Sequence, residues 1–342
     1  MIYRAKAPLR LGLAGGGTDV SPYSDEFGGA ILNSTISLYA YASIKETNDG
    51  KIKFSAMDRG ESAIVDSKNE LEINGELDLL KGVYNRIVKD FTKKKLSFEL
   101  TTWVDAPAGS GLGTSSTLTV AILGAFVEWL NLPLGEYDIS HLAYEIERLD
   151  LNMAGGKQDQ YAATFGGFNF MEFYKNDKVI VNPLRVKKEY INELNFNLLL
   201  YYTGTSRLSG KIIDSQTMNV INKEKKSLEG MHKLKEQAIK MKESVLRGEI
   251  NNVGEILDFG WKYKKQLAKE ISNPVIDDMY NAAKSAGALG GKISGAGGGG
   301  FMMFFCPQNT RYNVINALKE YGGEFRRYMF TKNGMNSWRT NT

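Results

Sequence analysis

The stretch from Val104 to Gly124, VDAPAGSGLGTSSTLTVAILG, constrains the fold of this chain more than any other. It reads as a strand, a glycine-rich loop, and a helix that begins where the loop ends. Pro107, Gly109, Gly111 and Gly113 keep the loop backbone bare, so that a ligand can come close to it. Thr114, Ser115 and Ser116 supply hydroxyls and are expected to cap the helix. Leu118, Ala121, Ile122, Ala125, Phe126, Trp129 and Leu130 then recur at the spacing of a buried helical stripe. Free N–H groups and the positive end of the helix dipole face such a loop, which suits phosphate.

Strand and helix signals surround this unit. Residues 2–14 read as a strand broken by Gly15-Gly16-Gly17, and 40–45 and 51–55 as short strands about the turn Asn48-Asp49-Gly50. Helical spacing covers 77–92, 138–150, 223–247, 249–270, 274–286 and 310–321, with strands at 96–104, 196–202, 301–306 and 324–331. A strand pair follows Phe165-Gly166-Gly167 and runs to about residue 184. Strand pairs mixed with helices indicate an α+β architecture rather than alternating βαβ units. The 342 residues allow about two domains, with a boundary expected near 185 and units at 1–185 and 186–342.

Composition bounds the function. No apolar run approaches the roughly 20 residues of a membrane span. The start MIYRAKAP lacks a signal-peptide pattern, and the single cysteine, Cys306, fits a reducing compartment, so a cytoplasmic location is expected. The net charge of +4 is too small and too scattered for a nucleic-acid binder but suits anionic small molecules. His141 and His232 lack metal-ligand spacing and read as ordinary helix or surface residues.

Two further glycine clusters carry chemistry. Ala7-Pro8-Leu9-Arg10 precedes Gly15-Gly16-Gly17-Thr18-Asp19, and Lys292-Ile293-Ser294 precedes Gly295-Ala296-Gly297-Gly298-Gly299-Gly300. The second cluster spells G-x-G-x-x-G, but the apolar strand FMMFFC follows where a dinucleotide fingerprint needs a helix. The first loop is no Walker P-loop either, because no Lys-Ser or Lys-Thr follows its glycines.

Together the three clusters resemble the three motifs of the GHMP small-molecule kinases, in the family's order and across residues 7 to 300. Pro107, Gly111, Leu112, Gly113, Thr114 and Ser115 match the second motif, Pro-x-x-x-Gly-Leu-Gly-Ser-Ser, with Thr for the usual first Ser. Gly16 and Gly17 replace the Glu and His of the galactokinase form of the first motif, and Ser294 replaces the Thr of the third. The resemblance implies a two-domain fold. Its N-terminal, ATP-binding domain is like ribosomal protein S5 domain 2, its C-terminal domain is ferredoxin-like, and the active site lies in the cleft between them. It further implies that Pro107, Gly109, Ser110, Gly111, Leu112, Gly113, Thr114, Ser115 and Ser116 hold ATP. Ser115 and Glu147 would hold Mg²⁺, with Glu145 as the competing carboxylate and Thr114 or Ser116 as competing hydroxyls. Asp159 would act as base, after an interval one residue longer than the family's, and Arg10 would stabilise developing charge.

Within the family, Arg10 to Asp19 and Thr203-Gly204-Thr205-Ser206-Arg207 look most like the branch of D-glycero-D-manno-heptose 7-phosphate kinases, with fucokinases nearby. That likeness implies transfer of the ATP γ-phosphoryl to the anomeric hydroxyl, giving a 1,7-bisphosphate for nucleotide-activated heptose and surface glycans. Asp19, Gly16, Gly17, Thr18, Gly295, Ala296 and Gly297 would then bind the sugar. Ser206 and Arg207 would hold its distal phosphate, with Lys157 and Lys211 as further candidates. Two other readings stay open at this point: a kinase of an unphosphorylated sugar, and a sugar–nucleotide sensor without turnover.

Overall fold

In the segment Phe98–Val104, Phe98, Leu100, Thr102 and Val104 are buried while Glu99, Thr101 and Trp103 face outward, the period-2 pattern that fixes a strand's register on a core. This strand lies inside a large sheet in the computed structural model, which describes residues 1–205 and 209–341. The first part of the chain runs β1 (Ile2–Ala14), α1 (Tyr23–Phe27), β2 (Gly29–Glu46), β3 (Lys51–Ala56), β4 (Glu61–Asp66), α2 (Asp78–Ile87) and β5 (Phe98–Val104). It continues with α3 (Thr114–Leu130), α4 (Glu136–Glu145), α5 (Gln158–Phe165), β6 (Phe168–Phe173) and β7 (Val179–Pro183). The second part runs α6 (Lys188–Asn197), β8 (Leu198–Tyr202), α7 (Ser209–Ile221), α8 (Lys225–Arg247), α9 (Asn252–Lys264) and α10 (Pro274–Ser285). It closes with β9 (Gly290–Ile293), β10 (Phe301–Phe305), α11 (Arg311–Leu318), β11 (Glu324–Phe325) and β12 (Asn336–Thr340).

Two sheets result. The first has the order β12-β1-β2-β5-β3-β4, with β6 on the other half of the long β2 and β7 beside β6. Its pairings are antiparallel except β3 with β5. The second has the antiparallel order β11-β8-β10-β9. This is the α+β, two-sheet fold that the glycine motifs imply.

Burial explains the sequence patterns. α3 is buried on nearly all sides as far as Phe126, packed on β1 and β2, so its apolar stripe widens into an apolar rod. Each large side chain so buried contributes about 1.5–3 kcal/mol. LLLYY in β8 and FMMFF in β10 are continuous because the second sheet is covered on both faces. Leu198, Leu200, Met303 and Phe305 join the core of the first sheet, while Leu199, Tyr201, Met302 and Phe304 pack with Trp261 and Met279.

Several elements depart from the sequence reading. β2 is one strand of 18 residues, where only residues 40–45 were expected to pair. α5 and α6 were not foreseen: α5 is eight residues between glycine pairs, and α6 is mostly exposed. The expected strand 324–331 shortens to Glu324–Phe325, and β12 pairs with β1 instead. The end of the chain therefore joins the first sheet, although the division at 185 grouped it with the second unit. Among the described residues no helix is long and apolar enough to cross a membrane.

Candidate active site

Three glycine loops meet at one cleft of about 740 Å³. The loop after β5 is pinned from behind: Arg10 N–H donates to the Leu112 carbonyl (3.1 Å), and Leu112 buries its side chain completely. Gly113 has φ +76°, a conformation that favours glycine, and a Cβ there would press on the Asp159 carboxylate at 3.1 Å. α3 starts at Thr114 with Gly113 as its N-cap and no side-chain cap. The expected capping by Thr114, Ser115 and Ser116 is therefore absent. Their hydroxyls and the open end of the helix border the cleft instead.

Next to this helix end lies a buried carboxylate. Ser115 Oγ donates to Glu147 Oε1 (2.8 Å), and Gln160 Nε2 donates to Glu147 Oε2 (2.5 Å) and to Ser116 Oγ (3.1 Å). The Arg148 guanidinium is 3.8 Å from Glu147. Glu147 sits in a π-helical turn, Ile146–Asp150, that continues α4. The extra residue of such a turn changes which side chain faces inward, and it accompanies the lengthened interval to Asp159. Glu145, the competitor, points outward to Arg86 (3.0 Å) and His141 (3.4 Å). A buried carboxylate beside a hydroxyl at an uncapped helix N-terminus fits a hard divalent cation. Among the described residues no group of three or more His, Cys, Asp or Glu side chains gathers, so such an ion would complete its shell with phosphate and water.

Asp159 and Arg10 form the centre of the cleft. Arg10 Nε donates to Asp159 Oδ1 (2.6 Å) and Nη2 to Oδ2 (2.9 Å), a bidentate pair. Arg10 Nη1 donates to the Gly111 carbonyl (2.5 Å), which also accepts from Ser294 Oγ (2.8 Å). One side chain thus ties β1 to α5 and to the loop after β5, and Ser294 ties that loop to the third glycine cluster. Asp159 lies in the first turn of α5 rather than in a loop.

The cleft also holds a buried aspartate and two buried lysines. Asp19 is buried, accepts the Gln158 N–H (3.1 Å), and has its pKa raised by that burial. Lys264 Nζ donates to the Gly16 carbonyl (3.1 Å) and Gln216 Oε1 (3.5 Å), and Lys292 Nζ donates to the Gly12 carbonyl (2.9 Å). Burial pushes these lysines down to about 8 and about 7. Neither was expected as a site residue. Lys264 hides between Lys262 and Lys265 at the end of α9. Lys292 carried a signal, because it stands in an apolar strand beside the third cluster.

Of the residues proposed from sequence, Arg10, Gly16, Gly17, Asp19, Gly109, Gly111, Gly113, Thr114, Ser115, Ser116, Glu147, Asp159, Gly295 and Ala296 line the cleft. Lys211 does too. Pro107, Ser110, Leu112, Thr18, Gly297 and Lys157 sit behind it or beside it. Pro107 is exposed at the loop's outer edge, and Ser110 is buried beneath the loop. Thr18 turns inward to the carbonyls of Gly15 (2.8 Å) and Ala30 (3.0 Å), and Gly297 packs on Ile271. Lys157 opens on a neighbouring hollow, with Nζ 2.8 Å from Asp177 and over the Tyr144 ring. Ser206 and Arg207 lie outside the described residues.

Comparison with known proteins agrees with this geometry. Residues 78–167 match the GHMP kinases N terminal domain, and residues 241–324 match the GHMP kinases C terminal domain. The chain is 52% identical to the D-glycero-alpha-D-manno-heptose 7-phosphate kinase of Campylobacter jejuni, over 98% of each chain. It is also similar to the crystal structure of a D-glycero-D-manno-heptose 1-phosphate kinase from Bacteriodes thetaiotaomicron, with a TM-score of 0.85 and 47% identity over 99% of this chain and 100% of that one. A putative sugar kinase from Campylobacter jejuni gives a TM-score of 0.82 and 50% identity over 99% and 98%. The chain belongs to the GHMP kinase family.

Proposed function

We propose that this enzyme transfers the γ-phosphoryl group of ATP to the anomeric hydroxyl of D-glycero-D-manno-heptose 7-phosphate, giving the 1,7-bisphosphate. The observation that carries the reading is the position of the Arg10–Asp159 pair, between an uncapped helix end and a cationic floor. The 52% identity to a relative of that name supports the choice of sugar.

The residues divide the chemistry as follows. The backbone of Gly109 to Gly113 and the N-terminus of α3 bind the triphosphate. Ser115 and Glu147 would hold Mg²⁺, which when bound neutralises charge on the transferring phosphoryl group. Asp159 accepts the proton of the anomeric hydroxyl through a lone pair that Arg10 leaves free, or orients that hydroxyl. Arg10, always charged, lowers the cost of the developing alkoxide. Asp19 accepts hydrogen bonds from sugar hydroxyls. Most of the rate enhancement in such a transfer comes from positioning and charge stabilisation.

The test is ADP release with ATP and Mg²⁺ over a panel: the heptose 7-phosphate, the unphosphorylated heptose, mannose, mannose 6-phosphate and fucose. Turnover confined to the heptose 7-phosphate is expected. Preferred turnover of a neutral sugar would overturn the substrate assignment and leave a sugar kinase. Binding of sugar and nucleotide without ADP release would mean a sensor.

A further inference from the structure

We propose that Lys264 and Lys292 form the recognition site for the distal phosphate of the sugar. The inference rests on the substrate reading above and assigns that phosphate to residues from two distant parts of the chain. Both ammonium groups are buried, and both line the cleft. Among the described residues neither has a carboxylate within ion-pair distance, and their recorded partners are the carbonyls of Gly16 and Gly12 and the Gln216 side chain. A buried ammonium without a paired anion is costly. The cleft is lined by five cations, Arg10, Arg148, Lys211, Lys264 and Lys292, and by four carboxylates, Asp19, Glu147, Asp159 and Asp214, and Asp159 is held in a bidentate pair by Arg10. The site therefore carries an excess of positive charge that an incoming anion would balance.

The shape of the site agrees. A Cβ on Gly17 would meet Lys264 Nζ at 3.2 Å, and one on Gly16 would meet Lys292 Nζ at 3.8 Å. Side chains at these two positions would cover the ammonium groups, and both positions are glycine. A phosphate monoester is a dianion with three acceptor oxygens above about pH 6. It can take charge-assisted hydrogen bonds from both lysines at once. Arg10 is held by Asp159 and by the Gly111 carbonyl, and we assign that pair to the reacting hydroxyl.

The experiment measures kcat/KM for the heptose 7-phosphate and for the unphosphorylated heptose with wild-type enzyme, Lys264→Met, Lys264→Arg and Lys292→Gln. The wild-type preference for the phosphorylated sugar should fall by about 10- to 100-fold in Lys264→Met and Lys292→Gln, the worth of one charge-assisted hydrogen bond. Lys264→Arg should recover most of it. Variants that keep the wild-type preference overturn the phosphate site while leaving the substrate reading intact. A wild-type enzyme indifferent to the distal phosphate overturns the substrate reading itself. Loss of both activities in equal proportion assigns the lysines to structure or to the transferred phosphoryl group, and so contradicts the proposal. Arg207→Ala and Lys211→Ala, measured in the same way, test two of the other cations offered for this phosphate, and loss of the preference in them but not in the Lys264 and Lys292 variants would overturn the assignment. A second measurement needs no variant: inorganic phosphate should inhibit wild-type enzyme competitively against the heptose 7-phosphate and not against ATP. Competition with ATP alone would overturn the assignment.

Discussion

At the helix end of the cleft, the ligand groups are backbone N–H donors and small hydroxyls, with one buried carboxylate held by Ser115 and Gln160. At the other end they are long cationic side chains whose ammonium groups rest on backbone carbonyls. The first end is complete in itself. Its carboxylate already has hydrogen bonds on both oxygens, and a bare loop can follow a triphosphate of any attached base. The second end is unbalanced, with burial lowering the affinity of both lysines for protons. On the proposed assignment, the donor end would bind by shape and dipole, and the acceptor end would select by charge.

The largest expected effect lies between the two ends. Asp159→Asn should reduce kcat by about 10²- to 10⁴-fold, the usual contribution of a positioned base, while nucleotide binding is largely kept. Stopped turnover assays with nucleotide titration measure both. Near-wild-type kcat would remove Asp159 from the chemistry and leave Arg10 to act alone.

The donor end is tested through its carboxylate. Gln160→Leu removes the donor to Glu147 Oε2, and outer partners of this kind typically carry about 10- to 100-fold in metal affinity. The Mg²⁺ concentration for half-maximal activity should rise accordingly, and more steeply in Glu147→Gln. An unchanged Mg²⁺ requirement in both would place the ion elsewhere.

The acceptor end should respond to pH where the donor end does not. Lys292 and Lys264, lowered by burial to about 7 and about 8, lose their protons as pH rises through those values. Arg10, Asp19, Glu147, Arg148, Asp159, Lys211 and Asp214 also line the cleft; Arg10 and Asp159 form an ion pair, and burial raises the pKa of Asp19. KM for the sugar phosphate should therefore climb between pH 7 and pH 9, with no parallel rise for ATP. Equal rises would erase the contrast between the ends.

A smaller effect concerns stability. The folded-state pKa of Lys264 lies below its ordinary 10.5, so between about pH 8 and that value the unfolded chain binds more protons. Without ligand, this lysine destabilises the fold most at low pH, and its cost shrinks as pH rises. Lys264→Met should raise Tm at pH 7 by more than at pH 9.5. A gain that grows with pH would contradict the assigned burial.

The same contrast sets what the sequence revealed. The donor end is contiguous: Gly109 to Ser116 are neighbours in the chain, and the strand, loop and helix around them follow from spacing alone. Glu147 and Asp159 were named through family likeness, and the structure brings both to the cleft, although the π-helical turn and the short helix α5 were not visible. A turn of that kind is an insertion of one residue, and eight residues between glycine pairs give too little periodicity to read. The acceptor end is assembled by tertiary packing from Gly12 to Asp19, Lys264 and Lys292. A lysine among other lysines on an amphipathic helix looks solvated until the helix is placed. At Leu112, also named from the motif, the side chain packs behind the loop, so only its backbone is left to face a ligand.

On the proposed reading, the enzyme places a phosphoryl group on the anomeric oxygen of a sugar that already carries one. Phosphorus NMR of the product formed from ATP and D-glycero-D-manno-heptose 7-phosphate tests it most directly. A second phosphate signal coupled to the anomeric proton, beside the retained 7-phosphate signal, is the predicted result. A new phosphate on any other carbon, or consumption of ATP with no sugar phosphate gained, would contradict it.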